Sequence, residues 1–180
     1  MRAPSVAVAV VAGTVLVVAS VALVGLRAAS SETRPCRVTA GGLVYRLDRD
    51  QVANAMVITD VAASRGMPHH AVTVALAAAL QESQLHNLRH GDRDSLGLFQ
   101  QRPSQGWGSP AQILTPRFAA DSFFRALARV DQWQTLSVNA AAQSVQRSAT
   151  PGAYAGSERQ ARAIARATTG ELPGTLTCSG

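Results

Sequence analysis

The sequence predicts a mainly α protein, one helical domain behind a single N-terminal transmembrane or signal helix. Three observations predict it. Residues 3 to 26 carry no charge, and Val6 to Leu26 is an apolar run of 21 residues, long enough to span a bilayer as a helix. The 154 residues beyond it hold all 11 acidic residues and 16 of the 17 basic ones. That remainder suffices for one soluble domain and is too polar for a multi-span transporter or channel. Within it, helix caps and helical spacing recur from residue 50 onward, and no strand pattern of useful length appears.

The first element is residues 1–27. Apolar cores of cleaved signal peptides run about 7 to 15 residues, so this run favours an uncleaved signal anchor, with Ala28-Ala29-Ser30 as the cleavage point if it is cut. Arg2 precedes the run and Arg27, Arg34 and Arg37 follow it, which by the positive-inside rule points the domain inward. The cysteines point outward. Cys36 and Cys178 are the only two, and they bracket the domain. Outside the membrane they would close a loop of roughly 140 residues, worth roughly 5 kcal/mol on the chain-entropy model. Thr33-Arg34-Pro35 before Cys36 is not a lipoprotein cleavage signal. The expected location is the cell membrane with the domain outside it, or secretion if the helix is removed.

Residues 28–47 mix Ser, Thr, Gly and Arg without period and read as a tether; 48–180 is the domain. Asp50 is placed to cap a helix carrying Val52, Met56 and Val61 at helical spacing, and Gly66 stops it. Pro68 suits the first turn of the next helix, HHAVTVALAAALQESQL. Residues 91–109 are a polar, glycine-bearing loop. Thr115-Pro116 opens a helix with Ala120, Phe124 and Leu127 on one face. Ser137 caps VNAAAQSVQ, Pro151 breaks it off, and Ser157 to Thr169 forms a last amphipathic helix ended by Gly170.

All 17 basic residues are arginine, which with abundant alanine, glycine and proline points to a high-GC bacterial genome. The net charge of +6 invites a nucleic-acid reading, yet the arginines alternate with acids, as in Arg46-Asp48-Arg49-Asp50. No basic block tracks a phosphate backbone, so nucleic acid is not the expected partner. A diffuse positive surface serves an anionic polymer such as a cell wall equally well.

Glu82 is the most informative residue. Steps of three and four back along its helix reach Ala78, Ala75, Val74 and Ala71, and a forward step reaches Leu85, so its carboxylate is expected on the apolar face. Burial disfavours the charged form, which suits a general acid. Downstream, Gly91 to Gly108 is dense in glycine, amides and hydroxyls with one tryptophan, Trp107. Amides and hydroxyls bond the polar groups of a sugar while an aromatic face packs on its ring. Loops beyond about 15 residues in a compact domain are more often functional than idle.

Glu82-Ser83, Asn87, Ser95-Leu96-Gly97-Leu98-Phe99-Gln100 and Pro103 together resemble the glutamate-serine motif and the S-x-G-L-M-Q-x-x-P motif of the lytic transglycosylase branch of the lysozyme-like superfamily. The stretch Gln81 to Trp107 is similar to secreted or anchored lysozyme-like proteins of actinobacteria, and the resemblance extends over roughly residues 50 to 150. It implies a lysozyme-like helical fold in which Glu82 is the catalytic acid and base and Ser83 supports it. Ser95, the Gly97-Leu98-Phe99 backbone and Gln100 would line the cleft. Ala141-Ala142-Gln143 falls where the family has alanine-tyrosine-asparagine, so the tyrosine is missing and Gln143 stands in for asparagine. Phe99 replaces a methionine.

The expected activity is cleavage of the β-1,4 bond between N-acetylmuramic acid and N-acetylglucosamine in peptidoglycan, by a lytic transglycosylase or a muramidase. A catalytically silent wall-binding module with the same fold is the alternative. The expected partners are peptidoglycan glycan strands and, through the N-terminal helix, the membrane; the protein is expected to be a monomer without cofactor. A zinc triad of Glu82, His86 and His90 is the weaker reading, because no HExxH pattern or cysteine ligand accompanies it. Asp92 and Asp94 read as loop caps, with Asp94 a minor candidate for a second catalytic carboxylate.

Overall fold

Side-chain caps set where three of the six α-helices among the described residues begin. The computed structural model describes residues 35–148, 150–171 and 173–179; the apolar run Val6–Leu26, and the anchor expected there, lie outside them. Among the described residues, no helix is long and apolar enough to cross a membrane. Helix α1 (Arg49–Ser64) starts from Asp48, whose carboxylate accepts the Gln51 amide while the Gln51 side chain accepts the Asp48 amide, both at 2.8 Å. The cap is thus Asp48 and not Asp50, which sits in the first turn. Only Asp48 has a glutamine three residues on to complete the reciprocal pair. The inward face is Asn54, Ala55, Ile58, Thr59, Val61 and Ala62, while Met56, expected inward, is 38% exposed.

Gly66 turns the chain at φ 63°, and Pro68 flanks helix α2 (His69–Ser83) as its N-cap. Every residue from Ala71 to Leu80 is buried. A helix enclosed on all sides is a core helix, so α2 lacks the single apolar face expected of it. Its alanines let neighbours approach closely. Those neighbours are α1, α4 (Pro116–Leu127), α5 (Val138–Gln146) and α6 (Glu158–Thr169). A short helix, α3 (Pro110–Ile113), is capped by Ser109 and leads into α4. Helix α4 buries Ala120, Phe124 and Leu127 as their spacing predicts, and Phe123 stacks on Phe99 at 4.7 Å between ring centres. The Ser137 hydroxyl accepts the Ala140 amide at the start of α5, and α5 ends at Arg147, ahead of Pro151. Gly170, at φ 78°, ends α6.

The reading of no useful strand is corrected. Strands β1 (Cys36–Ala40), β2 (Leu43–Leu47) and β3 (Gly174–Cys178) form an antiparallel sheet in the order β2-β1-β3. From Cys36 on, the segment read as tether is therefore part of the fold. Gly41-Gly42, both at positive φ, make the two-residue connection that a tight hairpin requires. Cys36, Val38 and Ala40 point inward, Arg37 outward, and β1 and β3 lie against α6. Cys36 pairs with Cys178 in register, and the two form the expected disulfide across 142 positions of sequence.

Candidate active site

Glu82 occupies the last turn of α2, where the core helix reaches the surface: Leu80 is buried, Gln81 exposed and Glu82 half-buried. The chain then turns sharply, with Gln84 and Leu85 both left-handed at φ 54° and 62°. Two successive non-glycine residues in that region are strained. Helix α1 holds them there. Its Gln51 and Asn54 side chains donate to the Gln84 and Leu85 carbonyls at 2.8 Å each, and the Leu85 side chain is fully buried.

The Tyr154 hydroxyl donates to Glu82 Oε1 at 2.8 Å. Tyr154 is fully buried on the turn between α5 and α6. Burial, then the bond to Glu82 and its charge, pushes the phenol well above its ordinary value of 10. The phenol is therefore a fixed donor throughout the neutral range. Asn139 Oδ1 accepts the Tyr154 amide at 3.1 Å, and Gln143 Nε2 donates to the Ser148 carbonyl, so two side chains of α5 brace the turn at both ends. Gln143, expected to bind substrate, is thus a brace of this turn, with its hydrogen bond to Ser148. The sequence reading missed Tyr154, since no helical or strand period connects positions 72 apart. Its only signal is compositional: the chain has two tyrosines, and the position between Ala141 and Gln143 lacks one.

The loop beside Glu82 is fixed by its own backbone. Leu96 and Gln101 exchange both amide hydrogen bonds at 3.0 Å, and the Gly97 amide donates to the Leu88 carbonyl at 2.7 Å. Gly97 has φ 75°, and a Cβ there would lie 2.7 Å from the Ile113 carbonyl oxygen. The Ser83 hydroxyl has the Leu98 carbonyl at 2.7 Å and the Ala79 carbonyl at 3.0 Å, which ties the end of α2 to the loop. Leu98 and Phe99 are core side chains, and Gln146 Nε2 donates to the Phe99 carbonyl at 2.9 Å. With both carbonyls engaged and both residues buried, Leu98 and Phe99 present neither side chain nor carbonyl to a ligand, contrary to the cleft-lining role expected of them. Gln100 Nε2 lies 3.3 Å from the carbonyls of His90 and Gly97, and its carboxamide fills the space over Gly91, where a Cβ would come 1.8 Å from Oε1. Ser95 is buried beside it. The structure thus brings Glu82, Ser83 and the loop from Ser95 to Gln100 together.

Asp94 has both oxygens engaged, by Arg102 Nε at 2.6 Å and the Ser104 amide at 2.8 Å. Those bonds hold its carboxyl well below the usual carboxylate range. It staples the loop, and Asp92 is exposed beside Arg93. His86, a possible zinc ligand by spacing, instead bonds Asp48 at 2.9 Å through Nε2. Among the described residues, no three His, Cys, Asp or Glu side chains converge on one point.

Trp107 belongs to a different feature of the surface. It lines a groove of about 780 Å³ with Arg125, Arg129 and Arg147, and Glu82 is not among the groove's lining residues. The carboxylate is thus not part of this groove. The Glu82–Tyr154 pair can hold and deliver one proton; the groove can hold anions.

No protein-family model matches the chain, and no curated protein sequence matches it.

Proposed function

We propose that this protein cleaves peptidoglycan at the β-1,4 bond between N-acetylmuramic acid and N-acetylglucosamine, as a lytic transglycosylase with Glu82 as its single catalytic carboxylate. In this reading the N-terminal helix holds the domain outside the cell membrane. The observation that carries it is the buried Tyr154 phenol bonded to the half-buried carboxylate of Glu82. The tyrosine absent from Ala141-Ala142-Gln143 is supplied by the following turn.

Tyr154 engages Oε1, which leaves Oε2 to carry the transferable proton. Oε2 gives that proton to the glycosidic oxygen as the bond to the muramic anomeric carbon breaks. The acetamido group of the same sugar stabilises the positive centre. The 6-hydroxyl then attacks the anomeric carbon and returns its proton to Glu82, so no water is consumed and the product ends in a 1,6-anhydro ring. A hydrolase of the common kind needs a second carboxylate about 5 to 9.5 Å from the first. Asp94, the nearest in sequence apart from Asp92, has both oxygens engaged by Arg102 and Ser104, which supports a single-carboxylate route.

Digestion of purified wall by the full chain, with mass analysis of the products, tests the reading. The expected muramic products are one water lighter than hydrolysis products. Glu82→Gln is expected to lose about 100-fold or more of the rate while melting as the parent does. Reducible muramic ends would mean a muramidase, and co-sedimentation with wall without release would mean a silent binding module. Clearance by Glu82→Gln at the parental rate would remove Glu82 from the mechanism.

A further inference from the structure

We infer that the groove walled by Arg125, Arg129 and Arg147 is a carboxylate-binding site for the peptide stem that branches from the muramic sugar. The inference rests on the peptidoglycan reading and names the part of that polymer this second site takes. The groove is built where the 105–107 turn, the C-terminal end of α4 and the C-terminal turn of α5 meet, and its volume of about 780 Å³ is that of a small-ligand site. Three arginines line it and none of its lining residues is acidic; the Arg125 guanidinium is engaged by Ser122 Oγ at 2.9 Å and lies over the Phe118 ring. Arg125 shares Asp121 with Arg65, at 3.4 Å from its Nε. Among the described residues, Arg129 and Arg147 have no ion-pair partner. Like charges gathered in a concavity raise the local potential for an anion. The planar guanidinium matches a carboxylate with two parallel hydrogen bonds. Trp107, half-buried on the same wall, gives an apolar surface for the short side chains of a peptide.

One hydrogen bond joins this groove to the loop beside Glu82: Gln146, on the groove wall, donates to the Phe99 carbonyl. The peptide stem of a glycan held at Glu82 is the ligand that this groove would take. The substituted sugars themselves are uncharged, because the muramic carboxyl is consumed in the amide link to the peptide. The carboxylates are on the stem. Two arginines without an ion-pair partner, beside a third that is paired with Asp121, fit the stem better than the sugars.

The test is equilibrium binding of the full chain, in detergent, to three labelled probes. These are short wall glycans carrying peptide stems, the same glycans stripped by an amidase to the free lactyl carboxylate, and polyglycerol phosphate. The parent is expected to bind stem-bearing glycan about tenfold or more tighter than stripped glycan, the effect of one charge-assisted contact. Arg129→Gln with Arg147→Asn is expected to abolish that preference while keeping the affinity for stripped glycan and the melting temperature. Asparagine is chosen because Arg147 has φ 53°, a conformation that asparagine tolerates. Equal affinity of the parent for both glycans would overturn the inference and leave the glycosidase reading standing, as would an undiminished preference in the double variant. Tightest binding to polyglycerol phosphate would overturn it in favour of a phosphate polymer. Failure to bind or cleave any glycan would overturn both readings together.

Discussion

On the proposed reading Glu82 must deliver a proton to one oxygen, which needs its rotamer held, and the bond to it is made by the Tyr154 phenol. Tyr154→Phe removes only the hydroxyl that bonds Glu82 Oε1 at 2.8 Å and leaves the ring in its buried site. The expected result is a fall in kcat of about 10- to 100-fold with KM little changed, since a slightly misplaced catalytic group costs rate and not ground-state binding. The stability loss should be only about 1 kcal/mol, because water can replace the phenol at the half-buried carboxylate. Steady-state kinetics beside thermal unfolding separate the two effects, and an unchanged kcat would reduce Tyr154 to a packing residue. Asp94→Asn is the contrasting case. Its partners Arg102 and Ser104 belong to the loop, so the variant is expected to keep substantial activity and the same anhydro products. The lowered pKa fixes the sign of its pH dependence: the clamp is fully present above the ordinary carboxylate value of 3.8 and is released only as pH falls through the lower folded value. Loop protection measured by hydrogen exchange should therefore be constant from neutral pH down to about pH 4. Loosening between pH 7 and 5 would contradict it.

At the scale of elements, the site depends on a loop that cannot relax. Gly97 and Gly106 both lie at positive φ, 75° and 79°, but only at Gly97 would a Cβ meet backbone, 2.7 Å from the Ile113 carbonyl oxygen; at Gly106 nothing lies within 4 Å. Alanine at 106 costs the left-handed strain alone, about 1 kcal/mol. Alanine at 97 adds displacement of the loop from α3, and about 2 to 3 kcal/mol is expected. Denaturant unfolding of the two variants checks the difference, and equal losses would mean that the loop shifts freely. The helices around this loop were legible in sequence because caps and spacing are local: Ser137 for α5, Thr115-Pro116 for α4 and Gly170 for α6 lie where they were expected. Asp48 and not Asp50 is the cap because its partner, Gln51, acts through a reciprocal bond, which periodicity does not show. The strands were missed for a similar reason. Each has five residues, too few for a period to show, although Gly41-Gly42 between Ala40 and Leu43 is a hairpin signal in its own right.

The whole molecule is closed by the bond between Cys36 and Cys178, which ties the first strand of the fold to the last. Reduction releases 142 positions of chain, and on the chain-entropy model this costs roughly 5 kcal/mol. A melting temperature many degrees lower in reductant is expected of protein isolated with the bond intact. An unchanged value would mean that the sheet holds the ends without it. The starts of α4 and α5, the end of α6, the bracketing cysteines and the loop from Gly91 to Gly108 are legible in the chain alone, because each is written in neighbouring residues. Packing alone decides that α2 is enclosed on every side, that Asp94 is spent on Arg102, and that Arg125, Arg129 and Arg147 line one groove with Trp107. It also decides that Tyr154 meets Glu82. These are contacts between segments far apart in the chain, and they exist only once packing has fixed where each segment lies.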